Sequence, residues 1–145
     1  MVYIAHRGNI NGKNIERENH PDYINEAISL GYDVEVDARY IDGDWWLGHD
    51  EPQYEIDYKW LEDRSDRLWV HCKDIPSVEY FTENAIKCAE INWFWHENDR
   101  MTLTSFGYVW VYPGRQPVLR SIAVMPEREG EDISSCLGIC SDVIK

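Results

Sequence analysis

Short apolar runs that stop at a polar residue recur along the chain. Val2-Tyr-Ile-Ala5 ends at His6-Arg7-Gly8 and reads as a buried strand followed by a loop. A helix is expected next, over 21–31: Pro21 suits its first turn, Ile24, Ala27 and Ile28 recur at helical spacing, and Gly31 can end it in a left-handed cap. The strand that follows, Asp33-Val-Glu-Val-Asp37, alternates acidic and apolar residues. Beyond it, Arg39-Tyr-Ile and Trp45-Trp-Leu flank Asp42-Gly43-Asp44, which predicts a hairpin near residues 38–50 that delivers His49-Asp50. A short helix over 58–64, a strand over 68–70 ending at His71-Cys72-Lys73, and a second helix over 76–89 continue the alternation of strand and helix. Four further apolar runs, at 91–95, 108–112, 121–125 and 137–140, follow with connections too short for full helices.

The strand tips are His6, Asp37, His71, His96, Glu127 and Asp142. In a parallel α/β barrel the C-terminal ends of the strands gather at one mouth, so polar groups scattered through the sequence meet there. The pattern therefore predicts a shortened, irregular TIM-like (β/α) barrel with reduced outer helices, formed by one domain over 1–145; an open α/β sheet is the structural alternative. Side chains alternate across a strand, so Asp33, Glu35 and Asp37 share one face, roughly 6.5 Å apart along it. Such a row repels itself unless water screens it or a cation sits between the carboxylates.

Composition narrows the partners. The chain has 145 residues, 43% of them hydrophobic, enough for a compact core, and a net charge of −13. That charge disfavours a nucleic-acid backbone or an anionic membrane surface as partner. The start, "MVYIAHRGN", lacks the basic and apolar regions of a signal peptide, and no segment has the length of a membrane span, so a cytoplasmic protein is expected. Cys72, Cys88, Cys136 and Cys140 contain no CxxC pair and read as reduced thiols. Seven Trp and nine Tyr suit a small core filled by large side chains, some of which are free to line a pocket.

The order His6-Arg7-Gly8, Glu18-Asn19, Glu35-x-Asp37, Asp42-Gly43 and His49-Asp50 resembles the glycerophosphodiester phosphodiesterase family. In that family a first strand ends in HRG, EN precedes the first helix, and ExD on the second strand leads into a hairpin ending in HD. Gly138-Ile-Cys-Ser-Asp142 looks like its final strand; the middle of the chain matches poorly. The resemblance implies a phospholipase-like barrel that cleaves a small phosphodiester with one divalent cation and two histidines. His6 and His49 then become the general acid and base, in an order left open, and Arg7 and Lys73 contact the substrate phosphate. Glu35 and Asp37, with Glu18 and His71, become metal ligands.

The residue types suit those roles. Hard carboxylate oxygens favour Mg²⁺ or Ca²⁺, imidazole titrates near neutral pH, and guanidinium matches a phosphate's paired oxygens. One position departs from the family, which usually has Glu-x-Lys where this chain has His71-Cys72-Lys73. An imidazole ligand brings Mn²⁺ or Zn²⁺ into consideration. The leading expectation is a metal-dependent phosphodiesterase acting on a glycerophosphodiester or related ester. The alternatives are a catalytically altered phosphate- and cation-binding protein on the same barrel, and a lyase that releases a cyclic phosphate. Asp33 is expected to be solvated or paired with a surface base, and His20 to start a helix.

Overall fold

The computed structural model describes residues 1–145. In chain order the elements are β1 (Val2–His6), α1 (Pro21–Ser29), β2 (Asp33–Ile41), β3 (Asp44–Leu47), β4 (Tyr54–Ile56), α2 (Tyr58–Asp63), β5 (Leu68–Cys72), α3 (Ile75–Glu83), β6 (Asn92–Trp95), β7 (Met101–Leu103), β8 (Val109–Val111), β9 (Ser121–Val124) and β10 (Gly138–Ser141). Parallel pairing runs β6-β5-β2-β1-β10-β9-β8, and β7 adds antiparallel to β8. The result is a mixed α/β fold whose sheet curls into a half-barrel with few helices. No ladder joins β6 to β7; the Ser105 N–H donates to the Trp93 carbonyl at 2.7 Å and Thr102 Oγ1 to the Trp95 carbonyl at 3.1 Å. No helix is long and apolar enough to cross a membrane.

β2 is the hub because its length lets it take three partners. Its start pairs with β1, as in His6↔Glu35, and its middle with β5, as in Asp37↔His71. Its end folds into the hairpin with β3 through Ala38↔Leu47 and Ile41↔Asp44.

The period of two sorts the core into two layers. Ala5, Val34, Val36, Ala38, Leu68 and Val70 face outward and pack against Ile24 and Ala27 of α1, Leu61 of α2 and Phe81 of α3. Ile4, Trp69, Phe94, Trp110, Ile122, Val124, Met125 and Cys140 face inward and form an apolar plug. Its rings are in contact, with Phe94 and Trp110 centroids 4.7 Å apart and Trp69 and Trp110 5.7 Å apart.

Local signals explain the helix ends. Pro21 opens α1, and His20 Nδ1 accepts from the Asp22 N–H at 3.0 Å, so His20 is a cap. Asp74 caps α3 through the Ser77 N–H and also accepts from the Tyr40 N–H, tying that helix to β2. α3 is shorter than its apolar spacing suggests, because Asn84 Nδ2 donates to the Tyr80 carbonyl and diverts the chain into turns. The strands β4 and β7, at three residues each, lie below the length at which alternation is readable.

The plug sets a stability test. Phe94 is 1% exposed and touches both Trp110 and the site above it. Phe94→Ala should lose about 3–5 kcal/mol in urea denaturation. A loss under about 1 kcal/mol would show that the inner layer does not pack as one unit.

Candidate functional site

One rung above the plug, the inward positions turn polar. His6, Glu35 and Asp37, His71, His96, Tyr112 and Asp142 come from six strands or their C-terminal ends. A cavity of about 310 Å³ opens over them, and His6, Arg7, Glu35, His49, His71 and Lys73 all line it. His96, Glu97 and Tyr112 complete the lining, with the His96 and Tyr112 rings stacked at 3.8 Å. Asp37 lies beneath the cavity floor, fully buried. Of the row on β2, Asp33 falls below the plug, where Trp69 Nε1 donates to it at 3.0 Å and Arg67 pairs with it at 3.3 Å.

Two buried carboxylates organise the floor. Glu35 is 2% exposed and Asp37 0%. Asn19 clamps Asp37 from two sides: Asn19 Nδ2 donates to Asp37 Oδ2 at 2.9 Å, and the Asp37 N–H donates to Asn19 Oδ1 at 3.0 Å. Arg7 Nε reaches Asp37 Oδ2 at 3.1 Å. His71 Nδ1 sits 3.4 Å from Asp37 Oδ1 and 3.7 Å from Glu35 Oε1, stacked on Phe94 at 4.8 Å. Arg7 and Asn19 both adopt left-handed backbone, φ 54° and 65°, uncommon for residues with side chains. The two are joined, since the Asn19 N–H donates to the Arg7 carbonyl at 3.0 Å.

These charges shift one another. Burial raises the Asp37 carboxyl, but His71, Arg7 and Asn19 overcome it and hold the group well below the usual carboxylate range. Burial lowers His71, yet Asp37 and Glu35 lift it to about 9. Arg7 is likewise raised against its burial, by Asp37, Glu35 and Glu18. Without a metal, the floor is therefore an imidazolium and a guanidinium facing two carboxylates.

The two histidines share a motif. Asp142 Oδ1 accepts from His6 Nδ1 at 2.8 Å, while His6 Nε2 points toward Glu35 Oε2 at 3.7 Å. Asp50 Oδ1 lies 2.6 Å from His49 Nδ1. Each ring is thus held at Nδ1, which leaves Nε2 facing away from that partner. Asp142 is further tied by Asn9, whose Nδ2 donates to Asp142 Oδ1 at 2.9 Å and to Glu18 Oε2 at 2.8 Å. Burial opposes ionisation of Asp142, and the hydrogen bonds from His6 and Asn9 nonetheless lower its titration.

The residues fit a cation. Glu35 Oε2 and Asp37 Oδ1 are buried without a hydrogen-bond partner, and the His71 contact at 3.4 Å is an ion pair rather than an aligned hydrogen bond. Glu35, Asp37 and His71 bring ligand atoms within 4.8 Å of one another. Glu18 does not join them: it lies across Arg7, in a separate group with His6 and Asp142, its oxygens engaged by Arg7 and Asn9.

Sequence reasoning gave no role to Asn9, Asp50, Tyr112 or the clamp made by Asn19. Asn19 stood within a quoted motif; Asn9 follows Gly8 and reads as an ordinary turn residue. No protein-family model matches the chain, and comparison with curated proteins and with solved structures likewise gives no match.

The His71 pairing has a pH signature. Titration near 9 in the folded chain, against about 6.5 unfolded, means that the folded form binds the proton more tightly. The stabilisation is fully present below pH about 6.5 and is lost as pH rises through about 9. In the presence of a chelator, urea stability should fall across that window by on the order of 3 kcal/mol. His71→Gln should remove most of the slope, and an unchanged slope in that variant would assign the effect elsewhere.

Proposed function

We propose that the protein is a metal-dependent phosphodiesterase that cleaves a small phosphodiester, of the glycerophosphodiester kind, by proton transfer through His6 and His49. The observation that carries this reading is the meeting of two carboxylate-held histidines and two phosphate-compatible cations around one cavity, with two unpartnered buried carboxylate oxygens, of Glu35 and Asp37, at and beneath its floor. Binding alone needs no pair of oriented imidazoles. The curled sheet then reads as a shortened (β/α) barrel, with its site at the C-terminal mouth.

In this reading Glu35, Asp37 and His71 hold the divalent cation. Mg²⁺ or Ca²⁺ suits the carboxylates, and Mn²⁺ or Zn²⁺ the imidazole. When bound, the cation offsets charge that builds on the phosphoryl oxygens. Arg7 and Lys73 bring the substrate anion to the mouth, Lys73 as a point charge on the wall. One histidine takes the proton of the attacking hydroxyl as its oxygen bonds to phosphorus. The other gives a proton to the departing alkoxide as the old P–O bond breaks. Asp142 and Asp50 keep each ring in the tautomer that presents Nε2.

The same floor supports a second reading. His71 as an imidazolium already balances part of the charge on Glu35 and Asp37. On that view the cavity binds a phosphate or cation without turnover.

A hydrolysis screen of small phosphodiesters with Mg²⁺, Ca²⁺, Mn²⁺ and Zn²⁺, paired with calorimetric metal titration, separates the two. Catalysis predicts metal-dependent release of alcohol, a fall of roughly 10²-fold or more in His6→Ala and His49→Ala, and metal binding largely intact in both. Parent-level turnover in both variants would remove the acid–base assignment. Binding of phosphate and metal with no turnover under any metal would favour the second reading.

A further inference from the structure

His6 and His49 are held in different ways. His6 ends a strand, and its carboxylate partner is tied into a buried network. His49 sits in the loop after β3, 37% exposed, and its side-chain partner Asp50 is 92% exposed. An ion pair open to water fixes a ring weakly. What places this histidine over the cavity must therefore act on its backbone.

We infer that Arg39 is the positioning residue for His49. Arg39 continues the inward row of β2, two residues beyond Asp37, where the strand has left the curled sheet for the hairpin. Its guanidinium is a half-buried fork. Nε donates to the Gly48 carbonyl at 3.0 Å, and Nη2 donates to the His49 carbonyl at 2.5 Å. The Gly48 N–H completes the hold by donating to the Asp37 carbonyl at 3.0 Å. Gly48 itself runs at φ 154°, and a Cβ there would meet the Glu51 carbonyl oxygen at 1.9 Å, so the turn is tight and admits glycine alone. Two successive carbonyls held by one planar cation fix both the height and the direction of the loop. A lysine ammonium, a single point donor, does not reproduce that geometry. Through this fork the strand that carries Glu35 and Asp37 also sets the place of His49, so floor and histidine move as one body.

This assignment rests on the reading of His49 as a proton-transfer residue, and two independent measurements test it. Backbone ¹⁵N relaxation reads the loop without any turnover. In Arg39→Ala the order parameters at Gly48, His49 and Asp50 should fall below about 0.6, while those of β2 and β5 stay at parent values. Order parameters unchanged at all three residues would overturn the inference, whatever the activity. The kinetic arm uses bis(4-nitrophenyl) phosphate with the metal that best supports turnover. There Arg39→Ala should lower kcat roughly ten- to a hundredfold with KM little changed, free guanidinium at tens of millimolar should restore part of it, and Arg39→Lys should stay low. Full activity in Arg39→Ala would overturn the inference. A parent that shows no turnover while Arg39→Ala still loosens the loop would sink the phosphodiesterase reading and leave the clamp standing.

Discussion

Placing Glu35 and Asp37 inside the sheet is the constraint around which this molecule is built. A carboxylate taken out of water costs several kcal/mol unless charge and hydrogen bonds replace the lost solvent. The compensation comes from three directions: Arg7 from the loop after β1, Asn19 from the stretch before α1, and His71 from the neighbouring strand. Two of these residues hold left-handed backbone to reach their partner. Balance is nevertheless incomplete. Glu35 Oε2 and Asp37 Oδ1 remain buried without a hydrogen-bond partner. Those unpartnered oxygens are the physical case for a divalent cation.

The same parity rule builds the outer surface. Three helices cover only the region of β1, β2, β5 and β6, where outward residues are the branched Val34, Val36, Leu68 and Val70. On β9 and β10 the outward Ile139, the register partner of Ala123, is large and half-buried, while Ser121, Ala123 and Ser141 are small and fully buried. Such small side chains leave a shallow face that loops can cover; Gln116 and Cys136 lie against Ser121 at 3.1 and 3.5 Å. No α-helix covers β9 and β10, and loops take that place.

Much of this was legible because alternation acts locally. Given strands at β1, β2 and β5, the shared face of His6, Glu35, Asp37 and His71 follows from counting by twos. The hairpin followed from Asp-Gly, and the start of α1 from His20-Pro21. What stayed hidden depends on distance along the chain. His6 meets Asp142 across 136 positions, and no local pattern sets the register between β1 and β10 that joins them. Glu18 was grouped with Glu35 and Asp37 as a candidate metal ligand through the motif they share; the loop carrying it folds back so that Arg7 stands between them. α3 was read too long because apolar spacing continues past Asn84, where a side-chain hydrogen bond decides the end.

The two histidines show why a site of this kind needs control at two levels. A tautomer is set by what the ring nitrogen touches, and a carboxylate at Nδ1 suffices for that in both His6 and His49. Position is set by what the backbone is attached to. For His6 the attachment is the parallel ladder itself, with Glu35 as its register partner, so imidazole and carboxylate keep one spacing as long as the sheet exists. A loop residue has no ladder, and its partner Asp50 moves with it rather than anchoring it. Any force that holds such a residue against water must come from a donor fixed elsewhere, and on this hairpin the donor lies on the same strand that buries the two carboxylates. Burial of Glu35 and Asp37, the length of β2 and the placement of His49 are therefore one structural problem, solved along a single strand.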